Sequence, residues 1–298
     1  MEKNPAHRLI HEKGTSDTPF STPESAKGSG DKPAFEGQPF LRNLDALPNK
    51  VIRREPLADF SVLFRGIEDP LEAVKKSEAL LSELDEGYGI TVVPISVVVG
   101  KGDAVSARID SVPSGESRSY VYIITEKVEG YDPGYLLGER KKGITRRLEI
   151  EERLPLASER ITTIPEEVRS QTAQELATLF VSLSQYLQDK SETSGHFLFD
   201  IFRGGQYAYG KIKNGTDNHM YLIDTDLHRV ERITSNNILD SLADFAETVC
   251  VAMNVLGSYA DFAPAKKSIE ELLSGIPEAI QKTMEEEVRR IQVSLDRM

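Results

Sequence analysis

The spacing of apolar residues changes once along this chain of 298 residues, and that change limits the fold more than any other feature. Up to about residue 130 the apolar positions come in short β-branched or aromatic runs, at 51–52, 60–64, 90–100, 104–112 and 119–130. Such runs, bounded by turn residues such as Gly100-Lys101-Gly102-Asp103, are strand material. One helical stretch interrupts them. Pro70 stands at a tolerated first-turn position, Leu71, Val74, Leu80, Leu81 and Leu84 recur on one face, and Gly87 and Gly89 end the pattern. Residues 130–165 are mixed and punctuated by Pro and Gly.

Beyond residue 165 the period is helical. A long amphipathic helix is expected over 165–189, with Leu176, Leu179, Phe180, Leu183 and Leu187 on one side. A largely buried helix is expected over 235–259, and two more over 265–274 and 277–296. Ile276, Ile280, Met284, Val288, Ile291 and Leu295 recur at near-heptad spacing, a stripe read as packing on its own domain, with a dimer as the alternative. Strands followed by helices argue for an α+β architecture with two lobes. Its expected parts are a disordered tail at 1–36, a strand-rich N-terminal lobe at 37–130 and a mostly helical C-terminal lobe at 131–298. The tail is rich in Ser, Thr, Gly, Pro and Lys and buries too little surface to offset its ordering entropy.

Charge narrows the partners. The formal net charge is -12 and the pI about 5.1. Phosphate-rich polymers and anionic membranes would be repelled, so neither nucleic acid nor a membrane is an expected partner. A nucleotide held through a metal ion stays open, because the metal supplies positive charge locally. No run approaches the ~18 apolar residues of a membrane span. The N-terminus shows no apolar signal core. The lone Cys250, in an apolar helical pattern, reads as a small core residue rather than a nucleophile. A chain without paired cysteines fits a reducing compartment, so a cytoplasmic location is expected. The basic cluster Arg140-Lys141-Lys142 with Arg146-Arg147 reads as a solvated face or loop, or as a contact for phosphate or an acidic partner.

Two acids carry the functional question. Asp200 follows the apolar Phe197-Leu198-Phe199, and Asp224 follows Tyr221-Leu222-Ile223. An acid at the end of a buried strand is costly unless it is paired, hydrogen-bonded or bound to a cation. Two so close in sequence suggest one site, with a metal among its candidates. Alternatively, each caps a turn or bonds a backbone amide.

Taken in order, the strand at 60–65, the helix with Glu78, the strands, the connection 125–130, the long helix, the Asp200 loop, the hairpin and Asp224 resemble the protein-kinase-like superfamily. Within it, the small-molecule kinases such as aminoglycoside phosphotransferases are the nearest in style. The resemblance covers residues 40 to 260. It implies ATP and Mg²⁺ between the lobes and a hydroxyl acceptor on a small molecule or a protein. Asp200 looks like the aspartate that orients the acceptor hydroxyl. Gln206 stands near the metal-binding asparagine, one residue further along, and Asp224 looks like the metal-binding aspartate. Arg65 stands where the strand lysine is expected, with Glu78 as its helix partner. Lys101 is the alternative cation. Backbone groups around Glu126 and Val128 look like the hinge that reads the adenine edge.

The chain also departs from that pattern. No Gly-rich phosphate loop precedes the first strands, arginine replaces lysine, glutamine replaces asparagine, and the residues before Asp200 are apolar. These departures support a second expectation, a catalytically degenerate pseudokinase acting as a binding or regulatory module. A third is an α+β protein of another kind in which both acids are structural. Oligomeric state and acceptor are open.

Overall fold

The computed structural model describes residues 7–11, 50–56, 70–103, 117–139, 147–213, 215–223 and 230–298. The strand readings at 60–64 and 104–112, most of the tail, Arg65 and Asp224 lie outside the described residues.

The architecture is α+β. Strands β1 (His7–His11), β2 (Lys50–Pro56), β3 (Ile95–Asp103) and β4 (Ser117–Glu126) form one sheet in the order β1-β3-β4-β2. β4 pairs antiparallel with both β2 and β3. β1, within the stretch expected as a tail, pairs parallel with Ile95 to Val99 of β3. Helix α1 (Pro70–Tyr88) falls between β2 and β3, where the leucine stripe predicts it, and buries Leu80, Leu81 and Leu84.

The expected strand over 90–100 is shorter than its apolar run. Residues 90–94 form a link to a second sheet before β3 begins. Val93 N–H donates to Leu222 O at 3.0 Å and Leu222 N–H to Thr91 O at 2.9 Å. That second sheet contains β5 (Val128–Tyr131), β7 (Tyr207–Ile212) and β8 (His219–Leu222), in the order β5-β7-β8. A third pairing joins β6 (His196–Leu198) to β9 (Val230–Arg232).

The helical part holds α2 (Pro133–Leu136), α3 (Ile150–Ile161), α4 (Glu166–Ser191), α5 (Ser235–Leu256), α6 (Ala263–Gly275), α7 (Glu278–Thr283) and α8 (Glu285–Arg297). α5 is buried around most of its circumference, as its composition predicts. Phe180 of α4 meets Phe245 of α5 edge-on at 5.7 Å, and Phe262 lies 5.8 Å from Phe180. Such aromatic contacts add to area burial. Cys250 is fully buried, and burial pushes its thiol up to about 11, which keeps it protonated and inert.

Two helical readings need revision. α3 was expected as irregular connection, because Pro155 sits inside it and Pro/Gly punctuation surrounds it. It holds because Glu152 accepts from the Glu149 N–H at 3.2 Å, and because Leu148, Ile150, Ala157 and Ile161 are buried. The helix expected over 277–296 is broken at Met284, whose φ of -120° and ψ of 45° separate α7 from α8. Nothing in the sequence marks that break. The apolar stripe still packs on its own chain: Ile291 is fully buried, and Asn254 of α5 donates to Arg297 O at 3.0 Å.

Candidate functional site: the loop from Asp200 to Gln206

The turn that carries Asp200 exists because the chain leaves a buried strand abruptly. Phe197 and Leu198 of β6 are buried, and the chain then makes two successive 3-10 turns, Asp200–Phe202 and Gly204–Gln206. Surrounding elements fix those turns through their carbonyls and amides. Tyr186 Oη of α4 accepts the Leu198 N–H at 3.0 Å. Tyr207 Oη donates to Ile201 O at 2.8 Å, and Ser241 Oγ of α5 donates to Phe199 O at 3.4 Å. Asp200 is therefore half-buried on a turn whose backbone these bonds hold in place.

Gln206 ends the second turn. Its backbone carbonyl accepts the Ile223 N–H at 2.9 Å, so the strand end that runs into Asp224 is stitched to Gln206. It is only 8% exposed, and its Oε1 is one of several buried polar atoms with no hydrogen-bond partner among the described residues. An unsatisfied buried acceptor costs about 1–3 kcal/mol, so native structures seldom keep one without a reason. A cation would supply that reason.

Sequence reasoning missed what lies beneath this loop. Asp244 and Glu247 of α5, 5% and 3% exposed, meet a fan of arginines drawn from four parts of the chain. Arg147 precedes α3, Arg153 lies within it, Arg203 sits between the two 3-10 turns, and Arg290 belongs to α8. Arg203 Nε and Arg147 Nη1 both pair with Asp244. Arg290 reaches Asp244 at 2.5 Å and Glu247 at 2.7 Å, and Arg147 reaches Glu247 at 2.6 Å. Burial alone would raise the Asp244 carboxyl, but Arg147, Arg203 and Arg290 outweigh it and hold the group below its usual range. For Arg203, burial works against the charge, while the carboxylates of Asp244, Asp200 and Glu139 raise it. Arg147, read as part of a solvated face or a contact for an acidic partner, stays exposed while its guanidinium pairs with Asp244 and Glu247. The available signal was the Asp and Glu in an otherwise apolar helix, since buried acids seldom occur unpaired.

The remaining candidates lie on β4, β5 and α1. Glu126 ends β4 and its N–H donates to Pro94 O at 3.0 Å. Val128 opens β5 and pairs with Ile212 of β7. β5 is the edge of its sheet among the described strands, which leaves one side of its backbone for another partner. Glu78, on α1, is half-buried, and burial raises its carboxyl to about 7. It makes no ion pair with a described residue, and its expected partner Arg65 lies outside them.

The Glu78 shift has a testable sign. A carboxyl raised in the fold binds more protons folded than unfolded between about pH 4.5 and 7. Its burial therefore costs stability that is absent below pH 4.5 and complete above pH 7. Glu78→Gln is expected to stabilise the protein at pH 8 by on the order of 1 kcal/mol, after allowing for solvent screening. The gain should fade towards pH 4. Urea titrations at the two pH values check this, and an equal gain at both would refute the assignment.

No family model, curated protein or solved structure matches this chain. Among the described residues no three His, Cys, Asp or Glu side chains gather as a metal site, and no helix is long and apolar enough to cross a membrane. Gln206 Oε1 is nonetheless an oxygen donor of the kind that Mg²⁺ prefers, and a phosphate group would complete its shell. The structure places Asp200 and Gln206 on successive 3-10 turns and bonds the Ile223 N–H to Gln206 O. Glu78, Glu126 and Val128 lie on three other elements, α1, β4 and β5.

Proposed function

We propose that this chain is a divergent kinase-like protein of two lobes that binds ATP with Mg²⁺ and acts as an atypical phosphotransferase. The observation that carries the reading is the orphaned Oε1 of Gln206, on the loop that carries Asp200 and is bonded to the residue before Asp224. The order long helix, acid-bearing turn, hairpin and acid, followed by a buried helix, supports the kinase-like fold. In this reading Gln206 and Asp224 hold the metal, which neutralises phosphate charge when bound. Asp200 orients the acceptor hydroxyl. Arg65 with Glu78 holds a phosphate, and backbone groups between Glu126 and Val128 bond the adenine edge, next to the β5 edge. Catalysis of this kind is positioning plus charge stabilisation, so a rigid loop matters more than any one reactive side chain.

One observation favours the pseudokinase alternative. Glu78, with its carboxyl near 7 and no described cation beside it, is a weak half of a phosphate clamp. The chain would then bind nucleotide, or a protein partner, without turnover.

Calorimetric titration of ATP with and without Mg²⁺, on the wild type and on Gln206→Leu, tests the shared part of both readings. Magnesium-dependent binding is expected, weakened about 10- to 100-fold in the variant, by analogy with losses around metal sites. Leucine also removes the orphaned acceptor, so the variant should be at least as stable as the wild type. Equal ATP affinity in the two proteins, or no dependence on Mg²⁺, would sink the metal role of Gln206.

A further inference from the structure

We propose that Glu139 is a positioning residue for the loop that carries Asp200 and Gln206, a role that rests on reading that loop as a Mg²⁺-nucleotide site. Glu139 lies outside the loop, 61 residues before Asp200 in the sequence, yet its carboxylate is the loop's main polar anchor. Oε1 accepts the Gly204 N–H at 2.8 Å and Oε2 accepts the Gly205 N–H at 2.7 Å. These two amides open the turn that ends at Gln206. A carboxylate accepting two successive backbone amides makes charge-assisted bonds, roughly twice as strong as neutral ones, and fixes both the distance and the tilt of the turn.

The local sequence exists to put that carboxylate there. Asp132 caps α2 by accepting the Tyr135 N–H at 3.0 Å, and Pro133 fills the first helical position. The four-residue helix stops at Gly138, whose φ of 72° suits glycine and which packs against the Arg153 carbonyl. The Glu139 N–H then turns back to Gly134 O at 2.8 Å. Gly134 in turn lies against the loop itself: a Cβ there would come within 2.4 Å of Gly205 Cα and 2.5 Å of Gly205 N. The carboxylate, 13% exposed, is backed by Arg153 at 3.3 Å and by the Thr248 hydroxyl at 3.3 Å. Arg153 belongs to the buried network, and Arg203 ties the same loop to Asp244. The turn between Asp200 and Gln206 is thus clamped at three consecutive residues, Arg203, Gly204 and Gly205. Gln206, the next residue, follows from that clamped backbone, and its Oε1 has no hydrogen-bond partner among the described residues.

A merely structural Glu139 and a positioning one predict different patterns across a set of variants. Glu139→Gln keeps the shape but replaces one acceptor with a donor facing a backbone N–H. Gly134→Ala pushes on Gly205 without changing any charge. Glu247→Gln removes an acid from the same network but touches none of residues 203–206. Each full-length protein is titrated with ATP with and without Mg²⁺, its Tm is recorded, and amide exchange is followed in the segment 200–207.

The expected result is that Glu139→Gln and Gly134→Ala each weaken magnesium-dependent ATP binding at least tenfold and speed exchange at Gly204 and Gly205. Glu247→Gln should lower Tm while leaving that affinity within about twofold. Should Glu139→Gln fail to fold, Gly134→Ala carries the same expectation. Wild-type binding that both loop variants preserve would overturn the positioning role alone. A wild type without magnesium-dependent binding would overturn the site reading, and the positioning role with it. Loss of affinity in all three variants in proportion to Tm would make Glu139 a stability residue and nothing more.

Discussion

Asp244→Ala is expected to bring the chain close to unfolding at room temperature. The carboxylate is 5% exposed and faces Arg147, Arg203 and Arg290. Its removal leaves three guanidinium groups with one shared acid fewer, two of them also bonded to Glu247. Breaking a buried ion pair from one side costs about 3–5 kcal/mol, a figure that applies to Arg290, 12% exposed, while Arg147 and Arg203, 37% and 40% exposed, are partly screened by solvent. Whole domains are stable by only about 5–15 kcal/mol. Urea denaturation of Asp244→Ala and Asp244→Asn checks the expectation. The asparagine variant should retain part of the loss through its remaining hydrogen bonds. A cost below about 1 kcal/mol for the alanine variant would show that the network is not a stabilising unit.

The same residue sets an acid limit. A carboxyl held below its unfolded value gives stability that is complete above the unfolded pKa and disappears as pH falls through the folded one. The wild type should lose stability below about pH 4, and Asp244→Asn should show less of that loss.

Asp224→Ala is expected to abolish the magnesium-dependent part of ATP affinity, by 100-fold or more. Removing residues that merely support a ligand costs 10- to 100-fold around metal centres, so removing an acidic ligand should cost at least that much. The prediction follows from the Ile223 N–H bond to Gln206 O, which ties the approach to Asp224 to the turn carrying the orphaned amide oxygen. Calorimetry with and without Mg²⁺ measures it, with the folded state monitored by circular dichroism. A variant that binds Mg²⁺-ATP as the wild type does would remove Asp224 from the site. It would return Asp224 to the structural reading.

The two predictions test different layers of one arrangement. Asp244 holds Arg203 of the loop, whereas Asp224 is expected to act on the bound metal. If the first variant unfolds and the second stays folded without metal-dependent binding, scaffold and site are separable. That separation is what a positioning network under a chemical site requires.

Local pattern made much of this fold legible in advance. The leucine stripe of α1, the amphipathic face of α4 and the apolar circumference of α5 each report a helix through one residue every 3.6 positions. β3 and β4 report themselves through β-branched runs. Asp200 was recognisable as a candidate because an acid after Phe197-Leu198-Phe199 breaks an apolar run, and Gln206 only through the kinase-like resemblance.

What escaped were the features whose stabilising partners lie far along the chain. α3 contains Pro155, so its local signal is poor, and burial of Ile150 and Ala157 decides it. Glu139 reads as an ordinary surface acid until the fold sets it against Gly204 and Gly205, 65 and 66 residues away. Arg147 reads as part of a basic patch until Asp244 and Glu247 face it. Periodicity records which face of an element is buried. It carries no record of which distant charge that face will meet. The sequence alone determined the α+β class, most of the helices and the two acids worth asking about. Only the tertiary structure decided that α5 presents buried carboxylates to arginines from four parts of the chain, and that one carboxylate beside α2 clamps the candidate loop, because ion pairing depends on distance in space rather than spacing in the chain.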